Sequence, residues 1–97
     1  MIDFNGKHEG DLSLTESINL NGMITGSLYV TPGNSAIING MVTGHIFVEA
    51  GGKLKVHGMS SGGITNNGGD VEIYGMVSGG LHENAGSTRI HPNAIVS

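Results

Sequence analysis

The stretch GMITG at residues 22–26 returns as GMVTG at 40–44, GMSSG at 58–62 and GMVSG at 75–79. Successive copies begin 18, 18 and 17 residues apart, and GKHEG at 6–10 and Pro92 continue the series at its two ends. A fixed period of this length is typical of a solenoid, in which each repeat forms one coil that stacks on its neighbours. The spacing predicts about six coils of 16–18 residues in a single domain, residues 1–97.

Apolar residues keep constant positions relative to the first glycine of each motif. They recur four and two residues before it, and two and six residues after it, in nearly every repeat. This alternation predicts short strands with one side chain row pointing inward. Length changes fall at one place in the repeat, where Pro-Gly, Gly-Gly and Ala-Gly steps indicate a loop. The prediction is an all-β, single-domain β-solenoid (β-helix) with three short faces.

One column of the repeat changes character along the chain. Eight residues after the first glycine stand Leu14, Val30 and Val48, but then Asn66 and Glu83. We therefore expect the solenoid to loosen at this corner towards its C-terminus.

Composition and charge restrict the class of partner. A net charge of −4 with only 12% charged residues leaves no Lys/Arg stripe for nucleic acid. The absence of cysteine excludes disulfides and thiol catalysis. The N-terminus lacks a basic and apolar leader pattern, and no stretch is apolar enough to span a bilayer, so we expect a cytoplasmic protein.

Catalytic and metal-binding patterns are weak. The hexapeptide coils of some acyltransferases require aliphatic residues six apart, a rule that Ile18 to Leu54 obey but that fails at Ser60 and Asn66. His57 and His91 share a column with Tyr74 between them, and the other histidines fall elsewhere. We expect a non-enzymatic protein with no catalytic residues, no cofactor and no histidine metal site.

The run GMVTGHI at residues 40–46, followed by GGKLKVHG at 51–58, resembles the Gly-x-Val-x-Gly-x-Ile rhythm of the bactofilins, bacterial polymer-forming cytoskeletal proteins. The resemblance covers most of the chain. It implies a right-handed, roughly triangular β-helix that polymerises end to end without nucleotide. It also implies a scaffold for other proteins near the bacterial membrane or cell wall.

The first and last predicted coils carry apolar residues that we expect to mediate self-association. A β-helix exposes unpaired backbone at its ends unless another segment covers it, so uncapped ends favour closed dimers or filaments. The residues concerned are Ile2, Phe4, Leu12 and Leu14 at one end and Ile90, Ala94, Ile95 and Val96 at the other.

A side of the solenoid offers an alternative binding surface. Met23, Met41, Met59 and Met76 occupy the column directly after the first glycine, with Lys7 and Asn93 at its ends. Alternation predicts that they point outward, either as a soft apolar strip for a partner or folded flat over the neighbouring face. Tyr29 and Phe47 form a second outward column, and we expect Ile37 and Tyr74 to be exposed together on another.

This side surface supports a second interpretation, an immunity or adaptor protein that neutralises a partner toxin through the side of the β-helix. A third, an extracellular adhesin fragment, would require a secretion signal. Finally, Asn5, Asn21 and Asn39 share one column, which predicts an amide ladder with a structural role.

Overall fold

A computed structural model of the chain describes residues 2–96, which form fifteen strands and no helix. The chain winds into a β-solenoid of five complete coils and part of a sixth, so the predicted fold class is confirmed. Each complete coil contributes strands to three faces, which we call A, B and C in chain order. The principal extents are 28 × 25 × 19 Å.

Face A begins each coil, face B follows the first glycine and face C precedes the next coil. The strands of face A are β1 (Ile2–Phe4), β4 (Ile18–Leu20), β7 (Ser35–Ile38) and β10 (Lys53–Val56). Those of face B are β2 (Lys7–His8), β5 (Met23–Ile24), β8 (Met41–Val42), β11 (Met59–Ser60), β13 (Met76–Val77) and β15 (Ile95–Val96). Those of face C are β3 (Leu12–Ser13), β6 (Leu28–Val30) and β9 (Ile46–Val48), while β12 (Ile64–Ile73) and β14 (Leu81–Ile90) run from face C into face A.

Every strand pairs in parallel with the equivalent strand of the next coil. On face A, Ile18 lies beside Ala36, and on face B, Met23 lies beside Met41. These pairs are the columns that the repeat predicts. The interior is therefore filled by stacked aliphatic side chains of similar size.

The inward columns are almost completely buried in the middle coils. The core consists of Leu14, Ile18, Leu20, Ile24, Leu28, Val30, Ala36, Ile38, Val42, Ile46, Val48, Leu54, Val56, Ile64, Val71, Ile73 and Val77. Ser60 and Asn66 are the polar residues buried with them.

The first glycine of each motif is required by the close approach of consecutive coils. A Cβ on Gly40 would collide with the carbonyl oxygen of Gly22, and a Cβ on Gly58 would collide with that of Gly40. At the same corner, the amides of Asn39 and Gly40 both donate to the carbonyl of Leu20, at 2.8 and 3.0 Å. The bend between faces A and B thus repeats in the second to fifth coils with no room for a side chain, whereas Gly6 in the first coil has no preceding coil against it.

The corner between faces C and A is a loop in the early coils and continuous strand in the later ones. A turn at Pro32–Gly33 and another at Ala50–Gly51 confirm the predicted loop, whereas β12 and β14 extend through the corner with irregular register.

The predicted loosening of this corner is wrong at Asn66. The Asn66 side chain is fully buried. Its Oδ1 accepts from the amides of Gly68 and Gly69, and its Nδ2 donates to the carbonyls of Gly69 and Ser87 and to Thr88 Oγ1. Glu83, in the next coil, is exposed as expected.

The last coil differs from the predicted register by two residues. Met76 pairs with Ile95 and Val77 with Val96, so Asn93 and Ala94 do not continue the columns assigned to them. The reason is a turn after His91, where the amide of Ala94 donates to the carbonyl of His91 at 2.9 Å. This turn adds two residues before the strand resumes.

Candidate functional site

The two ends of the solenoid expose residues that belong to inward columns. Ile2 continues the column of Ile18 and is 46% exposed, and Ile90 continues the column of Ile73 and is 51% exposed. Their equivalents in the second to fourth coils are buried, with at most 7% exposed. The exposure therefore arises because no further coil among residues 2–96 covers them.

The other predicted end residues divide into three groups. Ile95 is 56% exposed on face B. Phe4, Leu12, Ala94 and Val96 are half-buried against the core. Leu14 is only 6% exposed and belongs to the core cluster, so its assignment as an exposed end residue is wrong.

The strand edges of the end coils are open among the described residues. On face B, β2 pairs only with β5, and β15 pairs only with β13. On face A, β1 pairs only with β4. Such edges present backbone donors and acceptors to another chain.

The methionine column lines a shallow groove along face B. Met23, Met41 and Met59 are half-buried and Met76 is 36% exposed. The floor of the groove is the glycine corner, because Gly6, Gly22, Gly40 and Gly58 line it together with the four methionines. The methionines point outward, as alternation predicts, and leave an apolar groove beside them.

The remaining apolar residues predicted for one binding side lie on different faces. Tyr29 and Phe47 are on face C, where their rings stack with centroids 5.0 Å apart and 8° between planes. Ile37 is on face A, in the column of Lys55. Tyr74 stands at the corner that precedes face B, so Ile37 and Tyr74 do not share a column. A single apolar side that joins all eight residues is therefore not formed.

Four of the five histidines take part in ring contacts or hydrogen bonds. His57 stacks on Tyr74 with centroids 4.8 Å apart, and Tyr74 lies 5.5 Å from His91. His45 contacts the Gly62 carbonyl at 2.8 Å and Thr65 Oγ1 at 2.6 Å. Within residues 2–96, no three side chains of His, Asp or Glu are grouped closely enough to hold a metal ion.

The asparagine column forms the predicted ladder. Asn21 Nδ2 donates to Asn5 Oδ1 at 2.9 Å, and Asn39 Nδ2 donates to Asn21 Oδ1 at 3.1 Å. The ladder runs beside the glycine corner in the first three coils and is followed in the same position by His57 and Tyr74. It is a structural feature that pairs polar groups along the axis.

A charged ladder on face A was not predicted. Glu72 lies between Lys55, at 3.6 Å, and Arg89, at 3.9 Å. These residues share the column three positions before the first glycine or its equivalent. Their shared position in the repeat is the sequence signal from which this ladder could have been predicted. Lys55 and Arg89 are largely exposed, so these ion pairs contribute little to stability.

Comparison of the chain with protein-family models, with curated proteins and with solved structures gives no match in any of the three. The part of the chain that the structure describes contains no helix long and apolar enough to cross a membrane.

Proposed function

We propose that this protein is a non-enzymatic, bactofilin-like scaffold that assembles with copies of itself through its end coils. The observation that carries the proposal is the exposure of Ile2 and Ile90, two members of inward columns whose equivalents are buried in every middle coil. A coil from another copy would cover these side chains in the way that the next coil of the same chain covers their equivalents.

The energetics favour such stacking. Full burial of an isoleucine side chain contributes about 1.5 to 3 kcal/mol, so covering half-exposed Ile2 and Ile90 contributes about 1 kcal/mol each. The open edges of β1 and β2 at one end and of β15 at the other can add backbone hydrogen bonds. Because the two ends are on opposite sides of the molecule, association through both produces an extended assembly, whereas association through one produces a closed dimer.

The test compares end variants with a matched side variant. Ile2→Asp and Ile90→Asp place a charge at an end, and Ile37→Asp places the same charge on the outer side of face A. We expect wild-type protein and Ile37→Asp to form end-to-end oligomers in sedimentation velocity and negative-stain microscopy as concentration rises, and the end variants to lose them. Wild-type protein that remains a monomer at high concentration would contradict the proposal, as would an equal effect of all three substitutions. A closed dimer would contradict polymerisation through both ends.

The methionine groove favours a second candidate, an immunity or adaptor protein that binds a partner through its side. The groove is apolar, its methionines occupy four consecutive coils, and none of them is among the residues proposed for self-association. Met41→Ser together with Met59→Ser should weaken capture of a partner without changing the oligomeric state. If those substitutions left partner capture unchanged, the side-binding function would lose its support.

A further inference from the structure

The methionine column has a chemical uniformity that apolarity does not explain. The chain contains five methionines, and the four that follow Met1 all stand in this column. By contrast, the inward column two residues before each glycine reads Leu20, Ile38, Val56 and Ile73. Where only apolar volume is needed, the repeats interchange leucine, isoleucine and valine. The methionine column, in contrast, has a thioether side chain in four consecutive coils.

The geometry of the column suits two thioethers acting together. Met23, Met41, Met59 and Met76 are direct register partners in consecutive parallel strands. Neighbouring strands lie about 4.8 Å apart. A linear sulfur–metal–sulfur unit with bonds of about 2.3 Å, the metal–sulfur length found in zinc sites, spans about 4.6 Å. The backbone spacing of adjacent coils is thus close to the span of such a unit, and the flexible methionine side chains can bring two stacked thioethers to that separation.

The surroundings select the class of ion. Thioether sulfur is a soft ligand that prefers Cu(I) to hard or borderline cations. The groove is lined by methionine side chains and glycines, with no carboxylate or imidazole among its lining residues. Neutral ligands leave the charge of the ion uncompensated, which favours a monovalent cation over a divalent one. The protein's net charge of −4 favours cations, whether monovalent or divalent, over anions.

We propose that the methionine column is a binding site for a soft monovalent cation, Cu(I) or its analogue Ag(I), held between thioethers of adjacent coils. The column provides three such intervals, Met23 to Met41, Met41 to Met59 and Met59 to Met76. The ion crosslinks neighbouring strands of face B. This inference does not depend on self-assembly through the ends.

The experiment uses the full chain labelled with methyl-¹³C methionine and titrated with silver nitrate in a chloride-free buffer. We expect the methyl resonances of the column to shift and to saturate at one to three Ag(I) per chain, with no shift on addition of zinc or potassium nitrate. Two double variants separate the proposal from a general affinity of methionine for silver. Met41→Leu with Met59→Leu leaves Met23 and Met76, which are three coils and about 14 Å apart. Met23→Leu with Met76→Leu leaves the adjacent pair Met41 and Met59.

Both variants keep two column methionines and the apolar strip, and circular dichroism checks that both are folded. We expect the variant with the adjacent pair to bind Ag(I) at least ten-fold more tightly than the variant with the distant pair. Equal affinity of the two variants would overturn the proposal. So would the absence of methyl shifts in the wild type at millimolar Ag(I), or binding that is lost in a His57→Asn, His91→Asn variant with its methionines intact.

Discussion

Replacement of Ser60 by alanine should stabilise the protein. The Ser60 side chain is 0% exposed, and its Oγ is a buried polar atom without a hydrogen-bond partner in the described part of the chain. Its register partners on either side are Val42 and Val77, both fully buried. The hydroxyl therefore lies in an aliphatic column and loses its hydrogen bonds to water when the chain folds.

The size of the effect follows from the cost of an unsatisfied polar group. Burying a hydroxyl without a partner costs about 1 to 3 kcal/mol. Alanine removes that cost, but it also loses the packing contacts of one oxygen atom, so we expect a net gain of about 1 kcal/mol. For a domain of 97 residues this corresponds to an increase in Tm of about 4 to 8 °C.

Urea and thermal unfolding followed by circular dichroism measure this gain. The matched control is Ser61→Ala, because Ser61 is the exposed neighbour of Ser60 and its substitution should change the free energy of unfolding by less than about 0.5 kcal/mol. An unchanged urea m-value for both variants would show that the compared states are the same. If Ser60→Ala lowered the stability by 1 kcal/mol or more, the hydroxyl must have a partner in solution, and the argument from an unsatisfied group would be refuted.

Two further substitutions test how consecutive coils are held together. Asn66→Ala should destabilise the protein by about 2 to 4 kcal/mol, because it removes a buried side chain that makes several hydrogen bonds. Asn67→Ala, at an exposed position, should cost less than about 0.5 kcal/mol in the same urea titration. Gly40→Ala should lower the free energy of unfolding by about 3 kcal/mol or more, because its Cβ collides with the Gly22 carbonyl. Gly6→Ala, at the equivalent position of the first coil, should change it by less than about 1 kcal/mol, because no atom lies within 4 Å of the added Cβ. Equal losses within either pair would contradict the structural explanation of that pair.

The repeat predicted most of the fold because a solenoid applies the same local rule in every coil. Strands, parallel registers and inward columns all follow from the distance to the first glycine, and the structure confirms them from Ile18 to Val77. The prediction failed where the rule is interrupted. The turn after His91 shifts the last strand by two residues, and no property of the earlier repeats indicates such an insertion.

The candidate site residues were predicted less completely than the fold. A column assignment shows which residues share a face, so the methionine ladder and the Tyr29–Phe47 stack were foreseen. It does not show how much of each residue in an end coil is buried by the rest of the chain. Leu14 was expected at an open end but is buried within the core cluster.

The sequence by itself determined the period, the strand columns and the glycine corners, since these depend on residues close together in one coil and on their repetition. Only the tertiary structure decided the role of Asn66, which the sequence presents as a polar break in an apolar column. Its amide is satisfied by groups from its own corner and from Ser87 and Thr88 in the following coil. Likewise, only the stacked coils show that Ser60 has no such partner among residues 2–96. The bonds of Asn66 to Ser87 and Thr88 join residues 21 and 22 positions apart along the chain, and these partners reach Asn66 only once the coils have stacked.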